Sequence, residues 1–168
     1  MSEARGVVIL GSTGSIGTQA ISVIDDHPGE FQVRAISAGG HDIAALAAQA
    51  AHLRVEAVGV ADSGAVGQLR DELDRLYKRE KLGVRPEILA GPDAASDIAA
   101  MGADTVLNAI TGSVGLRPTL AAVNATVPDP CDHGHNCVAP TCGAGYHVPR
   151  ANRTRNGSLQ CSSATEKS

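Results

Sequence analysis

The run Gly11-Ser12-Thr13-Gly14-Ser15-Ile16-Gly17 sets three glycines three residues apart, directly behind the aliphatic stretch Val7-Val8-Ile9-Leu10. A G-x-x-G-x-x-G spacing suits the cradling of a diphosphate. Gly11 permits a sharp turn off a strand. Gly14 leaves no side chain where a pyrophosphate approaches the backbone, and Gly17 lets a following helix pack close to a sheet. The N–H groups and positive end of a helix starting near Ser15 then face the anion, with the Thr13 and Ser15 hydroxyls as further donors. The alternative is a turn whose glycines serve packing alone. The Gly-Lys-Ser/Thr ending of a P-loop is absent.

A second chemically meaningful stretch is Ser37-Ala38-Gly39-Gly40-His41. A site for NAD ordinarily carries Asp or Glu here to bond the ribose diol, whereas this chain has no acid before Asp42. Gly39 and Gly40 leave the backbone approachable, and His41 can face a 2′-phosphate, which favours NADP. The plain alternative is a flexible Gly-Gly turn with His41 or Asp42 as a helix cap.

Positioning these residues requires alternating strands and helices. Val7–Leu10 reads as a buried strand, followed by a helix with Ile16, Ala20, Val23 and Ile24 on one face that ends at His27-Pro28-Gly29. Phe31–Ser37 reads as a second strand, and Ile43, Leu46, Ala47 and Ala50 as the stripe of a second helix. Ala57–Val60 is a third strand. Asp62 caps a longer helix striped by Val66, Leu69, Leu73 and Leu76, with Asp71–Arg75 and Asp74–Lys78 as i,i+4 pairs. Glu87–Ala90, a short helix from Asp93, Thr105–Ile110 and a helix from about Pro118 to about Val123 complete the series. His27 and His52 fall at helix ends; Arg117 could touch a phosphate, but a solvated helix start is its plainer reading. Alternating βα units with buried strands predict an α/β domain with a doubly wound parallel sheet, a Rossmann-like NADP-binding arrangement.

The 168 residues carry a formal net charge of −4, which disfavours nucleic acid and anionic membrane as partners. No apolar run approaches the roughly 18 residues of a membrane helix. Four apolar residues before Gly11 are too few for a signal-peptide core, so the expected compartment is the cytoplasm. Residues 1–124 contain no Cys, whereas residues 125–168 contain all four. That second segment has no apolar run longer than three residues, and it reads as an irregular or disordered tail behind a 1–124 domain.

The blocks Val8–Gly17, His27-Pro28, Phe31-Gln32-Val33, Ser37–Gly40, Gly91-Pro92, Ala103–Val106 and Gly112–Ala122 are collinear over about residues 6–123. Together they resemble the amino-terminal domain of the 1-deoxy-D-xylulose 5-phosphate reductoisomerase family. The resemblance implies NADPH as cofactor, held by Thr13, Gly14, Ser15 and Ile16 at the diphosphate. Gly39, Gly40 and His41 lie near the adenosine end, and 110–113 near the nicotinamide. It also implies isomerisation and reduction of 1-deoxy-D-xylulose 5-phosphate to 2-C-methyl-D-erythritol 4-phosphate, the committing step of non-mevalonate isoprenoid biosynthesis. A divalent metal (Mg, Mn or Co) assists, in a homodimer.

The family's Ala-Asn-Lys-Glu segment, acidic metal ligands, substrate-phosphate site and lid have no counterpart here, since the only acids after Asn124 are Asp129, Asp132 and Glu166. No catalytic residue and no metal ligand is therefore assigned, and the regions that form the family dimer are missing. The expectation is a fragment inactive alone, from a truncated or frame-shifted reading. The alternatives are a natural short protein with a new tail, a non-catalytic nucleotide-binding module, or a non-functional product. In the tail, Cys131, His133, His135, Cys137 and Cys142 resemble a crowded zinc-ligand set, but the spacings match no common pairing, and an accidental cluster is the plainer reading.

Overall fold

The structure, a computed structural model, describes residues 4–126. The readings of the tail, including its irregularity and its Cys/His cluster, lie outside the described residues.

Five strands, β1 (Arg5–Leu10), β2 (Phe31–Ala38), β3 (Ala57–Val60), β4 (Glu87–Ala90) and β5 (Thr105–Asn108), form one sheet in the order β4-β3-β2-β1-β5. Every pairing is parallel. The five helices are α1 (Ser15–Asp25), α2 (Ile43–Leu53), α3 (Val66–Glu80), α4 (Ala94–Ala100) and α5 (Leu116–Thr126). Parallel strands need covering helices on both faces, and the core accordingly forms two layers. On one face Ile9, Ile36 and Val58 pack with Ile21, Leu46, Leu69 and Leu73 from α1, α2 and α3. On the other, Val8, Leu10 and Ala35 pack with Ile98 and Ala99 of α4, with Ala121 and Ala122 of α5 against them. This is the expected doubly wound α/β domain. The chain steps outward from β1 to β4 and then returns to β1's other side, so the order reverses between β1 and β5. At such a switch point the carboxyl ends of neighbouring strands open a crevice.

Four local expectations need correction. α1 buries Gly17 and Ile21 rather than the Ile16–Val23 face, and Ile16 and Val23 are 53% and 54% exposed. The cause is close approach: a Cβ on Gly17 would lie 2.4 Å from the Gly11 carbonyl oxygen and 2.5 Å from Ser12 Cα, so the helix rotates its bare Cα onto the turn. The buried side of α3 is Leu69, Leu73 and Tyr77, with Val66 and Leu76 partly buried beside it. Its ion pairs are Arg75–Glu72 at 3.2 Å, Arg79–Glu80 at 2.8 Å and Asp74–Arg85 rather than the anticipated i,i+4 pairs. β5 stops at Asn108 instead of Ile110, because the Asn108 side chain takes over local bonding. α5 starts two residues earlier than Pro118 and continues to Thr126.

A register shift between Val7 and Val8 leaves Arg34 unpaired in the β1–β2 ladder. Its guanidinium bonds Glu56 through Nε at 3.2 Å and through its terminal nitrogen at 3.0 Å, and also reaches the Gly102 carbonyl at 3.1 Å. That clamp joins β2 to the chain entering β3 at the amino ends of the strands.

Candidate functional site

At the carboxyl end of β1, Gly11 adopts φ +79°, a left-handed conformation that disfavours a side chain. The Gly11 and Ser12 amides both donate to the Ser37 carbonyl, at 2.8 and 2.9 Å, which ties the turn to β2. α1 then begins behind Gly14, its N-cap, with no side-chain cap bond. A helix start leaves its first amides without intrahelical acceptors. Here no capping side chain takes them, and Gly14, Ser15 and Ile16 are all exposed. Thr13 is half-buried beside them. A Cβ on Gly14 would meet only the Gly11 carbonyl oxygen, at 3.3 Å, so its outer side is open. Gly14 and Gly17 thus act differently: one keeps a surface bare, the other lets backbone touch backbone.

Leu10 pairs with Ser37, so the turn after β2 stands beside the glycine turn. Gly39 is exposed, and a Cβ there would meet only the neighbouring His41 ring, at 3.2 Å to Nδ1. Gly40 has φ +111°, and a Cβ would come within 2.9 Å of Asp62 Cβ. His41 is exposed. The two nearby carboxylates have structural duties. Asp42 Oδ1 accepts from the Ala45 amide at 2.9 Å as the N-cap of α2. Asp62 Oδ1 accepts from the Gly64 amide at 2.8 Å, ahead of a 3-10 turn that leads into α3. Of the two cap candidates, Asp42 holds the cap and His41 does not. The structure therefore brings Thr13, Gly14, Ser15 and Ile16 to one end of the sheet together with Gly39, Gly40 and His41.

Sequence reasoning missed the side chain that shapes the third loop at this end. Asn108 Nδ2 donates to the Gly115 carbonyl and to Thr119 Oγ1, both at 2.7 Å, while its Oδ1 accepts from the Ile110 amide at 3.0 Å. One side chain thereby latches the 109–115 loop onto α5. The legible signal was an Asn closing a strand ahead of a Gly-rich turn. Gln49 Nε2, which donates to the Ser12 carbonyl at 3.1 Å, pins the glycine turn from α2. Arg117 pairs with Asp93 at 3.1 Å and both are well exposed, as expected of a solvated helix start. His27 Nδ1 lies 2.8 Å from the Val23 carbonyl at the end of α1, and His52 Nε2 lies 2.9 Å from Asp25 Oδ1.

A surface depression of about 640 Å³ lies at the opposite end of the sheet, between Arg5, Gly6, Gln32, Arg34 and Asp104. Two of its three charges are engaged. Arg34 holds Glu56, and Asp104 Oδ2 accepts from the Gly6 amide at 2.7 Å. It is a structural cleft. Among the described residues no group of three or more His, Cys, Asp or Glu side chains could hold a metal ion, and no helix is long and apolar enough to cross a membrane.

A parallel doubly wound sheet, a three-glycine turn into an uncapped helix and a second bare turn beside it define an α/β domain of the dinucleotide-binding class. The sequence profile of the 1-deoxy-D-xylulose 5-phosphate reductoisomerase family matches residues 7–127, and the chain belongs to that family. The reductoisomerase of Pseudarthrobacter chlorophenolicus is 54% identical over 125 residues, covering 73% of this chain and 31% of the relative. That of Streptomyces coelicolor is 52% identical over 122 residues, covering 72% and 28%. Among solved structures, the Zymomonas mobilis reductoisomerase in complex with NADPH superposes with a TM-score of 0.64 at 34% identity, over 73% of this chain and 30% of that one. A reductoisomerase bound to NADPH, fosmidomycin and magnesium gives 0.61 at 30% identity, over 72% and 28%. The chain spans about a third of the length of the relatives it matches.

Proposed function

We propose that this chain is the NADPH-binding portion of a 1-deoxy-D-xylulose 5-phosphate reductoisomerase and does not turn over substrate by itself. The observation that carries the reading is the open backbone at Gly14 in front of an uncapped helix, in a chain whose relatives include a structure in complex with NADPH. The donor set fits a diphosphate: Thr13, Ser15 and Ile16 offer hydroxyls and amides at the positive end of α1, and Gly14 leaves room for the anion. Gly39, Gly40 and His41 would receive the adenosine end, His41 against the 2′-phosphate. Asp42 and Asp62 are committed to caps, which leaves no acid assigned to a ribose diol. When bound, the cofactor supplies a hydride; this chain's own residues hold and orient it.

The relatives' remaining two-thirds would supply the substrate site, and a relative's structure with magnesium supports a divalent metal there. The described residues do not fit that metal, so no step is assigned to it in this chain. In this reading the full-length enzyme is a cytoplasmic homodimer of isoprenoid biosynthesis. It acts on 1-deoxy-D-xylulose 5-phosphate and engages neither nucleic acid nor membrane. The 1–124 segment is the working domain and 125–168 an appended tail.

Fluorescence titration with NADPH tests the proposal. Saturable binding is expected, and Gly14→Asp abolishes it while leaving the circular dichroism spectrum unchanged. Absence of saturation up to about 1 mM would refute cofactor binding. With NADPH, magnesium and 1-deoxy-D-xylulose 5-phosphate all present, no turnover above blank is expected from the chain alone.

A further inference from the structure

We infer that the depression between the carboxyl ends of α2 and α3 is an oxyanion site, which holds a phosphate group through Arg54, Lys81 and the Tyr77 hydroxyl. The depression encloses about 330 Å³ and is lined by Arg54, Tyr77, Glu80, Lys81, Leu82 and Val84. It lies where the chain turns into β3 and β4, at the end of the sheet away from the glycine turns, so its occupancy does not depend on NADPH. An adjoining depression of about 520 Å³ shares Tyr77 and Lys81 and adds Lys78.

Tyr77 marks the place a ligand would take. It is only 6% exposed, yet its hydroxyl takes part in no hydrogen bond among the described residues and is not sealed from solvent. A buried phenol ordinarily has a partner. Burial pushes its pKa up, against a smaller downward pull from Arg54, so at neutral pH it stays a neutral donor. The carboxylates beside it are taken, Glu80 by Arg79 at 2.8 Å and Asp74 by Arg85. Arg54 and Lys81 are exposed and form no ion pair among the described residues. Every polar side chain left unengaged around the depression is therefore a donor, and an acceptor-only anion complements them. A phosphate monoester carries about −1.5 to −2 charges at neutral pH and three acceptor oxygens. The Arg54 fork suits two of them, and the Lys81 ammonium supplies a point charge.

The backbone concurs. Arg54 and Lys81, at φ +53° and +51°, are the two non-glycine residues in the left-handed region among the described residues. Each is the C-cap of its helix, where glycine would carry no Cβ strain. A cation there also offsets the negative helix end, but His52, and Lys78 with Arg79, already stand in the two last turns for that duty. A shared anionic ligand accounts for two strained positions that both carry long cations and both line one depression.

The test follows amide resonances of the isotope-labelled 168-residue chain during titration with inorganic phosphate and, separately, with glycerol 3-phosphate at constant ionic strength. Saturable shifts centred on Arg54, Tyr77 and residues 81–84 are expected, with a dissociation constant below about 5 mM. Equal affinities would assign the site to the free ion, and tighter glycerol 3-phosphate to a phosphorylated metabolite; both support the site. Arg54→Gln and Lys81→Gly should each weaken binding at least about fivefold with unchanged circular dichroism. Lys81→Gly separates the roles, because relief of strain raises stability while the anion loses a donor. Tyr77→Phe, which keeps the packed ring, should weaken binding about threefold or more. Three results overturn the inference: shifts that grow linearly without saturating, shifts confined to residues 11–17, or an affinity unchanged in both Arg54→Gln and Lys81→Gly.

Discussion

Two glycines of one motif carry different physical loads. Gly17 sits where a Cβ would meet three backbone atoms at 2.4 to 2.6 Å, none of which can yield without moving the strand or the helix. Gly17→Ala is therefore expected to cost about 1–3 kcal/mol or more in urea unfolding, the range of overpacked cores. Gly14 has φ −77°, ordinary for any residue, and only one neighbour at 3.3 Å. Gly14→Ala should change stability by less than about 1 kcal/mol and instead weaken NADPH binding, read by fluorescence titration. A Gly14→Ala protein that unfolds like Gly17→Ala would show that the turn is glycine-rich for packing alone. The motif's spacing was legible in the sequence; which glycine served packing was not, because that depends on the distance to a turn folded back from the strand before it.

At the scale of elements, α2 was readable because its stripe of Ile43, Leu46, Ala47 and Ala50 has one way to face the sheet, and all four are buried. α1 was misread because Ile16 and Val23 look like core residues until the Gly17 contact sets the rotation. α3 ends with Lys81 at φ +51° in the left-handed region, where a Cβ carries strain. Lys81→Gly is expected to raise stability by roughly 0.5 kcal/mol, since relieved strain outweighs glycine's unfolded-state entropy. A fall in denaturation midpoint would contradict this. β5 ends where Asn108 replaces main-chain partners. Asn108→Ala strands the Ile110 amide and leaves the Gly115 carbonyl with Thr119 Oγ1, at 2.8 Å, as its side-chain donor, and should cost about 1–3 kcal/mol. Amide exchange should quicken most within residues 109–115, and uniform quickening across the sheet would argue against a local latch.

For the whole molecule, the Arg34–Glu56 pair shows how the amino end of the sheet is held shut, away from the candidate site. Arg34's hydrogen bond, more than its charge, holds the Glu56 carboxyl below its ordinary range. A depressed folded value stabilises above the unfolded carboxyl pKa and is lost as pH falls through the folded one. Both side chains are well exposed (39% and 50%), so solvent screens the pair. Glu56→Gln should cost only about 0.2–1 kcal/mol near neutral pH, and the gap between the two proteins should close as the medium is acidified below the carboxylate range. A gap that widened on acidification would reverse the sign and refute the assignment.

The sequence by itself determined the alternation of strand and helix, the parallel sheet it requires and the place of the glycine turns. Those depend on local periodicity and on residues without side chains, which any fold must respect. Tertiary structure alone decided the rotation of α1, the latch at Asn108 and the capping duties of Asp42 and Asp62. It also set the strand order, with β5 paired to β1 alone among the described residues. Each of these turns on which distant backbone comes within a few ångströms, a relation that linear spacing does not encode.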